Sequence, residues 1–184
     1  MALQSEYYEL IWRGLKTHEF RRRFLEGRAA RWFVYLNAPV SRLAAVIDLG
    51  PAVVDVPEQI AAIAERARAG NGASVLEYVQ DLDQAFAVPI LHVAEYPGLS
   101  AGELREELGA FHPPQGYVRL NQYPRMLAIC EKVAAETPIR EMPVHHRCEF
   151  AENAHVSVSS VKQYEAGKKR AERKFQLGVR GGGF

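Results

Sequence analysis

The chain has 184 residues, of which 48% are hydrophobic and 24% charged, and its formal net charge is +1. These values are typical of a soluble globular protein and argue against a chain that coats nucleic acid nonspecifically. The apolar runs are much shorter than the roughly 18 residues that cross a bilayer, and the first residues lack a secretory-signal pattern, so we predict a cytoplasmic protein without a membrane segment.

The first half of the chain predicts two strands and three helices. In chain order they are expected at 5–15, 32–36, 42–50, 57–69 and 74–82. The helices follow from apolar residues at helical spacing, and the strands follow from short runs of branched and aromatic residues. Ser5 is the expected N-cap of the first helix, and Pro57 suits the first turn of the second. Trp32 and Tyr35 lie within a predicted strand, which favours a place in the core.

The second half of the chain predicts two strands and two helices. They are expected at 86–93, 100–108, 117–120 and 124–136, and the helix at 100–108 should be short and exposed. Pro89 indicates that the strand at 86–93 is an edge strand or contains a bulge. Short strands and helices without a regular alternation predict an α+β fold, with a small mixed sheet or partly open barrel surrounded by helices. We expect this domain to span residues 1–137.

The densest charge in the chain lies between Trp12 and Arg23. Five basic side chains occur there: Arg13, Lys16, Arg21, Arg22 and Arg23. Such side chains neutralise phosphates, which favours an anion site. Lys16 and Glu19 would also form a proton-transfer couple in a desolvated pocket. The alternative is a solvated basic loop held by a salt bridge, and the residues alone leave these interpretations open.

The same segment contains the pattern G-x-K-x-x-E-x-R, whose fixed positions are Gly14, Lys16, Glu19 and Arg21. It is followed by W-F-V-Y-L-N-A-P, and P-P-Q occurs at 113–115. In these features residues 1–137 resemble the ASCH domain family of the PUA-like superfamily. The resemblance implies a PUA-like β-barrel with a cleft for RNA or a nucleotide-like ligand.

The resemblance also indicates which residues form the site. We expect ligand contacts from Trp12, Arg13, Lys16, His18, Arg21, Arg22 and Tyr117. Some relatives are ribonucleases or amidohydrolases of acetylated cytidine, so the alternative is a hydrolase in which Lys16 and Glu19 are catalytic. The amidohydrolases carry a threonine where this chain has Glu19, and Glu65 and Glu77 are both candidates for a second acid. We expect no cofactor.

Residues 138–184 are expected to form a basic, partly helical extension. The run 150–170 resembles the second and third helices of a repressor-type helix-turn-helix, which makes a DNA-binding regulator the second alternative. The extension also contains four residues that often bind zinc, namely His145, His146, Cys148 and His155. Their spacing matches no common zinc framework, so we predict no metal site.

Overall fold

The computed structural model describes residues 1–146, which form a mixed, curled seven-stranded sheet with helices packed on it. The strands are β1 (Ala2–Leu3), β2 (His18–Arg21), β3 (Ala30–Leu36), β4 (Arg42–Leu49), β5 (Val53–Asp55), β6 (Ala85–Ser100) and β7 (Arg140–Pro143). The helices are α1 (Ser5–Trp12), α2 (Pro57–Ala67), α3 (Gly72–Val79), α4 (Ala101–Leu108) and α5 (Pro124–Ala134), with a short 3-10 helix at Leu120–Gln122. The α+β prediction with a mixed, partly open sheet is confirmed.

The sheet is organised around β6, which has 16 residues and pairs with four other strands. The strand order is β1-β3-β4-β6-β2, and β5 and β7 also pair with β6. Only the β1–β3 pair is parallel among the described pairs. Because β2 pairs with β6 alone, its other edge is open within the described sheet.

Pro89 lies inside β6, and of the two predicted alternatives, an edge strand or a bulge, the structure shows an irregularity in the strand pairing. Pro89 is opposite His18 in β2, and its carbonyl accepts a hydrogen bond from the Gly50 N–H. The β4–β6 register shifts between Asp48 and Leu49, next to the proline. The missing N–H of Pro89 therefore falls where the ladder is already interrupted, and this explains how a central strand contains a proline.

The helices cover different parts of the sheet. Tyr8 and Ile11 of α1 pack with Val34 of β3, whereas Tyr35 of the same strand packs with Leu104 of α4 and Cys130 of α5. Since neighbouring strand residues point to opposite faces, α1 lies on one face and α4 and α5 on the other. Helices α2 and α3 form a third apolar cluster with the beginning of β6. Trp32 and Tyr35 are buried, as predicted.

The predicted helices all occur, and each has fewer residues than expected. Pro57 and Pro124 begin α2 and α5, and Ser100 and Glu103 form a capping box at α4. The N-cap prediction for the first helix is wrong: Gln4 is the cap residue, and the Ser5 hydroxyl donates instead to the Asn37 carbonyl. Helix α4 is short and mostly exposed, as predicted, and Leu104 is its buried residue.

Two predictions for the second half fail. Residues 117–120 form no strand, because the chain there runs as irregular backbone into the 3-10 helix. Residues 140–143, assigned to the extension, form β7 and pair with β6, so the sheet continues beyond the boundary expected at residue 137. The helix-turn-helix-like run at 150–170 lies outside the described residues. No helix within residues 1–146 is long and apolar enough to cross a membrane.

Candidate functional site

The segment Gly14–Arg21, called the signature segment below, leaves α1 through a sharp turn and becomes β2. Gly14 has a φ of +68°, a conformation that glycine adopts without strain. Its N–H donates to the Ile11 carbonyl, and the Lys16 N–H donates to the Leu10 carbonyl at 3.0 Å. The turn therefore fixes the backbone of Lys16 against the end of α1.

Glu19 is the centre of an ion network. Its Oε2 lies 2.8 Å from Lys16 Nζ, and its Oε1 lies 2.9 Å from Arg21 Nη2. The three side chains are 12–21% exposed, and Glu19 is the buried charged residue of the described core. A carboxylate in this position is stabilised by two cations at once, which offsets its loss of hydration.

Arg21 lies behind Glu19, on the inner side of the sheet. Its guanidinium carbon is 5.2 Å from the centre of the Trp32 ring, within the range of a cation–π contact. Its Nε is buried and has no hydrogen-bond partner within residues 1–146. Arg21 therefore fixes the position of the Glu19 carboxylate from within the core.

A cavity of about 150 Å³ lies in front of Glu19, between α1, β2 and the α2–α3 turn. This signature cavity is lined by Tyr7, Leu10, Leu15, Lys16, Thr17, His18, Glu19, Phe20, Ala67, Arg68, Asn71 and Val75. Tyr7 is 49% exposed, and Lys16 Nζ lies 5.9 Å from the centre of its ring. The cavity thus combines an exposed aromatic ring with cationic, anionic and amide groups.

The open edge of β2 also faces this cavity. The Thr17 carbonyl accepts a hydrogen bond from the Ile90 N–H in β6 at 2.8 Å. In an antiparallel ladder the next residue turns its backbone groups the other way, so the N–H and C=O groups of His18 and Phe20 lie on the open edge. Both residues line the cavity, so this edge of β2 borders it.

His18 is held neutral at ordinary pH. Burial is the main cause that lowers its pKa to about 4, and the nearby His146 and Arg66 contribute to the same shift. Its Nδ1 is 3.0 Å from the Thr17 hydroxyl, and its ring centre is 4.9 Å from that of His146. His146 donates from Nε2 to the Ile90 carbonyl. His18 can therefore donate or accept one hydrogen bond in the cavity but carries no charge there.

Five of the expected ligand contacts do not line the signature cavity. Arg13 is exposed at the end of α1, and Trp12 stacks under the Arg140 guanidinium at 4.2 Å. Arg22 points away and forms a bidentate pair with Asp81, at 2.5 and 2.7 Å. Tyr117 contacts the Phe24 ring, and Arg21 lies behind Glu19 as described above.

The cavity residues that were not expected from the sequence include Tyr7, Arg68 and Asn71, which lie outside the signature segment. Arg68 Nη2 donates to Asn71 Oδ1 at 2.7 Å across the turn between α2 and α3. The glycines on either side of Asn71 are typical of a turn between two helices and do not by themselves indicate a cavity. That this turn lies opposite the signature segment depends on tertiary packing.

The two candidates for a second acid also lie outside the lining of the signature cavity. Glu65 accepts hydrogen bonds from the Gly70 and Gly72 N–H groups, which lower its pKa, and it shapes the turn. Glu77 is exposed and does not line the cavity. Glu19 is thus the one carboxylate of the cavity lining within residues 1–146. No three His, Cys, Asp or Glu side chains in the same range are grouped to hold a metal ion.

The fold matches three crystal structures of the ASCH protein from Zymomonas mobilis. The unmodified protein has a TM-score of 0.54 and 23% sequence identity, and the alignment covers 70% of this chain and 92% of that one. A tyrosine-to-phenylalanine variant of that protein has a TM-score of 0.54 and 21% identity, and the alignment covers 70% of this chain and 94% of the variant. A serine-to-alanine variant has a TM-score of 0.55 and 22% identity, and the alignment covers 70% of this chain and 93% of the variant.

No protein-family model matches the chain, and no curated protein is significantly similar to it in sequence. At this level of identity the structural match establishes the fold alone. The resemblance inferred from the signature segment is confirmed to that extent: the described part of the chain has an α+β fold similar to that of the Zymomonas mobilis ASCH protein.

Proposed function

We propose that the chain binds RNA or a nucleotide-like ligand in the signature cavity. The observation that carries the proposal is the buried Glu19, which is bridged to Lys16 and Arg21 at the floor of a cavity with an exposed tyrosine at its mouth. Such an arrangement combines fixed hydrogen-bonding groups with a stacking surface, which is how single-stranded bases are recognised.

The charges of the site favour an anionic ligand. Lys16 and Arg21 contribute +2 and Glu19 contributes −1, so the network has a net charge of +1, and Arg68 in the cavity wall raises it to +2. The cavity is also small, at about 150 Å³, so it suits one extruded base or nucleotide better than a duplex. We therefore expect the ligand to be single-stranded RNA or a free nucleotide.

A hydrolase at the same cavity is the second candidate, and the 2.8 Å contact between Lys16 and Glu19 favours it. A lysine next to a carboxylate can transfer protons if the reacting group lies within reach. The lack of another carboxylate in the described lining favours a binding protein over this alternative.

The test measures binding of a fluorescein-labelled, single-stranded RNA oligonucleotide by fluorescence anisotropy at several salt concentrations. Lys16→Ala should weaken binding about tenfold and reduce the slope of affinity against salt by about 0.7. Arg23→Ala is the matched control, because Arg23 is exposed and removes the same charge outside the cavity. Equal effects of the two variants would exclude a specific site at Lys16.

The hydrolase alternative is tested with the same proteins. Each is incubated with RNA and with acylated nucleosides, and the products are separated by chromatography. Turnover by the wild type that Lys16→Ala abolishes, with the thermal unfolding unchanged, would establish the enzyme. Binding of RNA without turnover of any of these substrates would support the binding function and contradict the hydrolase alternative.

A further inference from the structure

A second cavity of about 560 Å³ lies on the other face of the sheet, between β3, β4, the loop after α4, and α5. This second cavity shares no lining residue with the signature cavity. Its walls are mostly apolar and include Phe33, Leu43, Phe111, Met126 and Cys130. Its volume falls in the range of sites for small organic molecules.

One end of the second cavity is electropositive. Helix α5 begins there, its N-cap Tyr123 provides no side-chain hydrogen bond, and its first turn contains no acidic residue. The first N–H groups of such a helix are unpaired and carry a partial positive charge. Arg125, also in the first turn and in the cavity lining, donates from Nη2 to the Glu107 carbonyl at 2.7 Å. Its other N–H groups have no partner within residues 1–146.

Tyr35 provides an independent indication of a ligand. It is 4% exposed, lines the second cavity and packs against the Phe111 ring at 5.3 Å. Its hydroxyl has no hydrogen-bond partner among the described residues and keeps some accessible surface, so a polar atom of a ligand in the cavity can reach it. A molecule in the cavity with a polar atom near Tyr35 would satisfy this hydroxyl.

We propose that the second cavity binds a small amphipathic anion, which has an aromatic or aliphatic body and one carboxylate, sulfonate or phosphate group. The body packs between the sheet and α5, and the anionic group lies at the first turn of α5 beside Arg125. The described lining contains no Asp or Glu side chain, so no like charge opposes the anion. Val118 and Tyr123, which are 42% and 52% exposed, extend the apolar surface at the rim.

The test uses two fluorescent probes with the same body, 1-anilinonaphthalene-8-sulfonate and the uncharged N-phenyl-1-naphthylamine. The sulfonate should bind the native protein at one saturable site, about tenfold more tightly than the neutral probe, because a charge-assisted hydrogen bond is worth roughly this factor. Arg125→Gln should remove the preference and leave the affinity for the neutral probe unchanged, and Arg125→Lys should retain most of it.

Three controls make the result specific. Lys132→Gln removes the same charge from the exposed side of α5 and should change neither affinity. Lys16→Ala alters the signature cavity and should also have no effect, which separates this proposal from the RNA-binding proposal. Met126→Trp fills the second cavity and should abolish binding of both probes.

Several outcomes would overturn the proposal. These are equal affinity for the two probes, no saturable binding of either, or unchanged binding in the Met126→Trp variant. If Arg125→Gln lowered the affinity for both probes equally, the role of Arg125 would be to support the cavity wall through its hydrogen bond to Glu107. The assignment of an anion site would then be wrong.

Discussion

Arg21 and Arg22 are adjacent in the sequence and carry the same charge, yet they lie in different regions of the molecule. Arg21 faces the inside of the sheet, where Glu19 and Trp32 hold it, and its side chain is 21% exposed. Arg22 follows the last residue of β2 and reaches outward to Asp81 and the Tyr78 carbonyl, and its side chain is 37% exposed. The comparison shows that the position of an arginine along the strand, rather than the local charge density, decides whether it joins a buried ion network or forms an ion pair at the surface.

The largest effect on stability is expected from removing the Glu19 carboxylate, which holds the ion network together. Glu19→Ala leaves Lys16 and Arg21 partly buried without their counter-ion, and it should lower the free energy of unfolding by about 3 kcal/mol. Urea denaturation followed by circular dichroism measures the loss. Glu77→Ala, an exposed carboxylate on α3, is the control and should change little. A loss in Glu19→Ala no larger than in the control would mean that the network is not a structural centre.

Lowering the pH should destabilise the folded chain through His18, which lies next to Glu19 in β2. Its pKa is about 4 in the folded chain and 6.5 in the unfolded one, so the unfolded chain binds more protons between these values. Stability should therefore fall as the pH decreases from 6.5 toward 4, by up to about 3 kcal/mol from this residue. The measurement is urea denaturation of the wild type and His18→Gln across this range, with His112→Gln as an exposed control. Parallel curves for the wild type and His18→Gln would contradict this assignment.

A smaller loss is expected from Arg21→Lys, which keeps the charge and removes the planar group. The lysine loses the contact of the guanidinium with the Trp32 ring, so the free energy of unfolding should fall by about 1 kcal/mol. RNA affinity should fall as well, since Glu19 is held less firmly. Arg22→Lys gives the matched comparison at the outer position, and an equal loss in both variants would remove the distinction between the two arginines.

The smallest effect is expected from Arg22→Ala. Its pair with Asp81 lies in solvent, where ion pairs contribute little to stability, although the pair raises the pKa of Arg22 and lowers that of Asp81. The midpoint of thermal unfolding should shift less than for Arg21→Lys, and affinity for the RNA probe should stay near that of the wild type at high salt. A tenfold loss of affinity at high salt would place Arg22 in the ligand site.

The sequence predicted the elements whose signals are local. Pro57, Pro124 and the Ser100–Glu103 box mark helix starts by their own chemistry, and the aromatic run at 32–36 indicated a buried strand. β2 was missed because H-E-F-R contains a single apolar residue and owes its conformation to pairing with β6. The failed strand at 117–120 shows the reverse: Tyr117 and Val118 favour a strand, but no described neighbour pairs with them.

The candidate site was predictable in part for the same reason. Lys16, His18 and Glu19 follow one another along the chain, so a sequence pattern places them together. Tyr7 and Asn71 reach the cavity only because α1 and the α2–α3 turn pack beside β2. Arg22 was assigned to the site from its charge, but it lies beyond the last residue of β2 and its partner, Asp81, is distant in sequence.

The open edge of β2 gives the border of the signature cavity hydrogen-bonding groups that do not depend on side chains. The N–H and C=O groups of His18 and Phe20 belong to the main chain, so every residue except proline supplies the same N–H at these positions. Alanine substitution there removes a side chain but leaves the hydrogen-bonding edge intact. Two proteins with this fold can therefore present the same backbone contacts to a ligand while their side chains differ at most positions of the cavity.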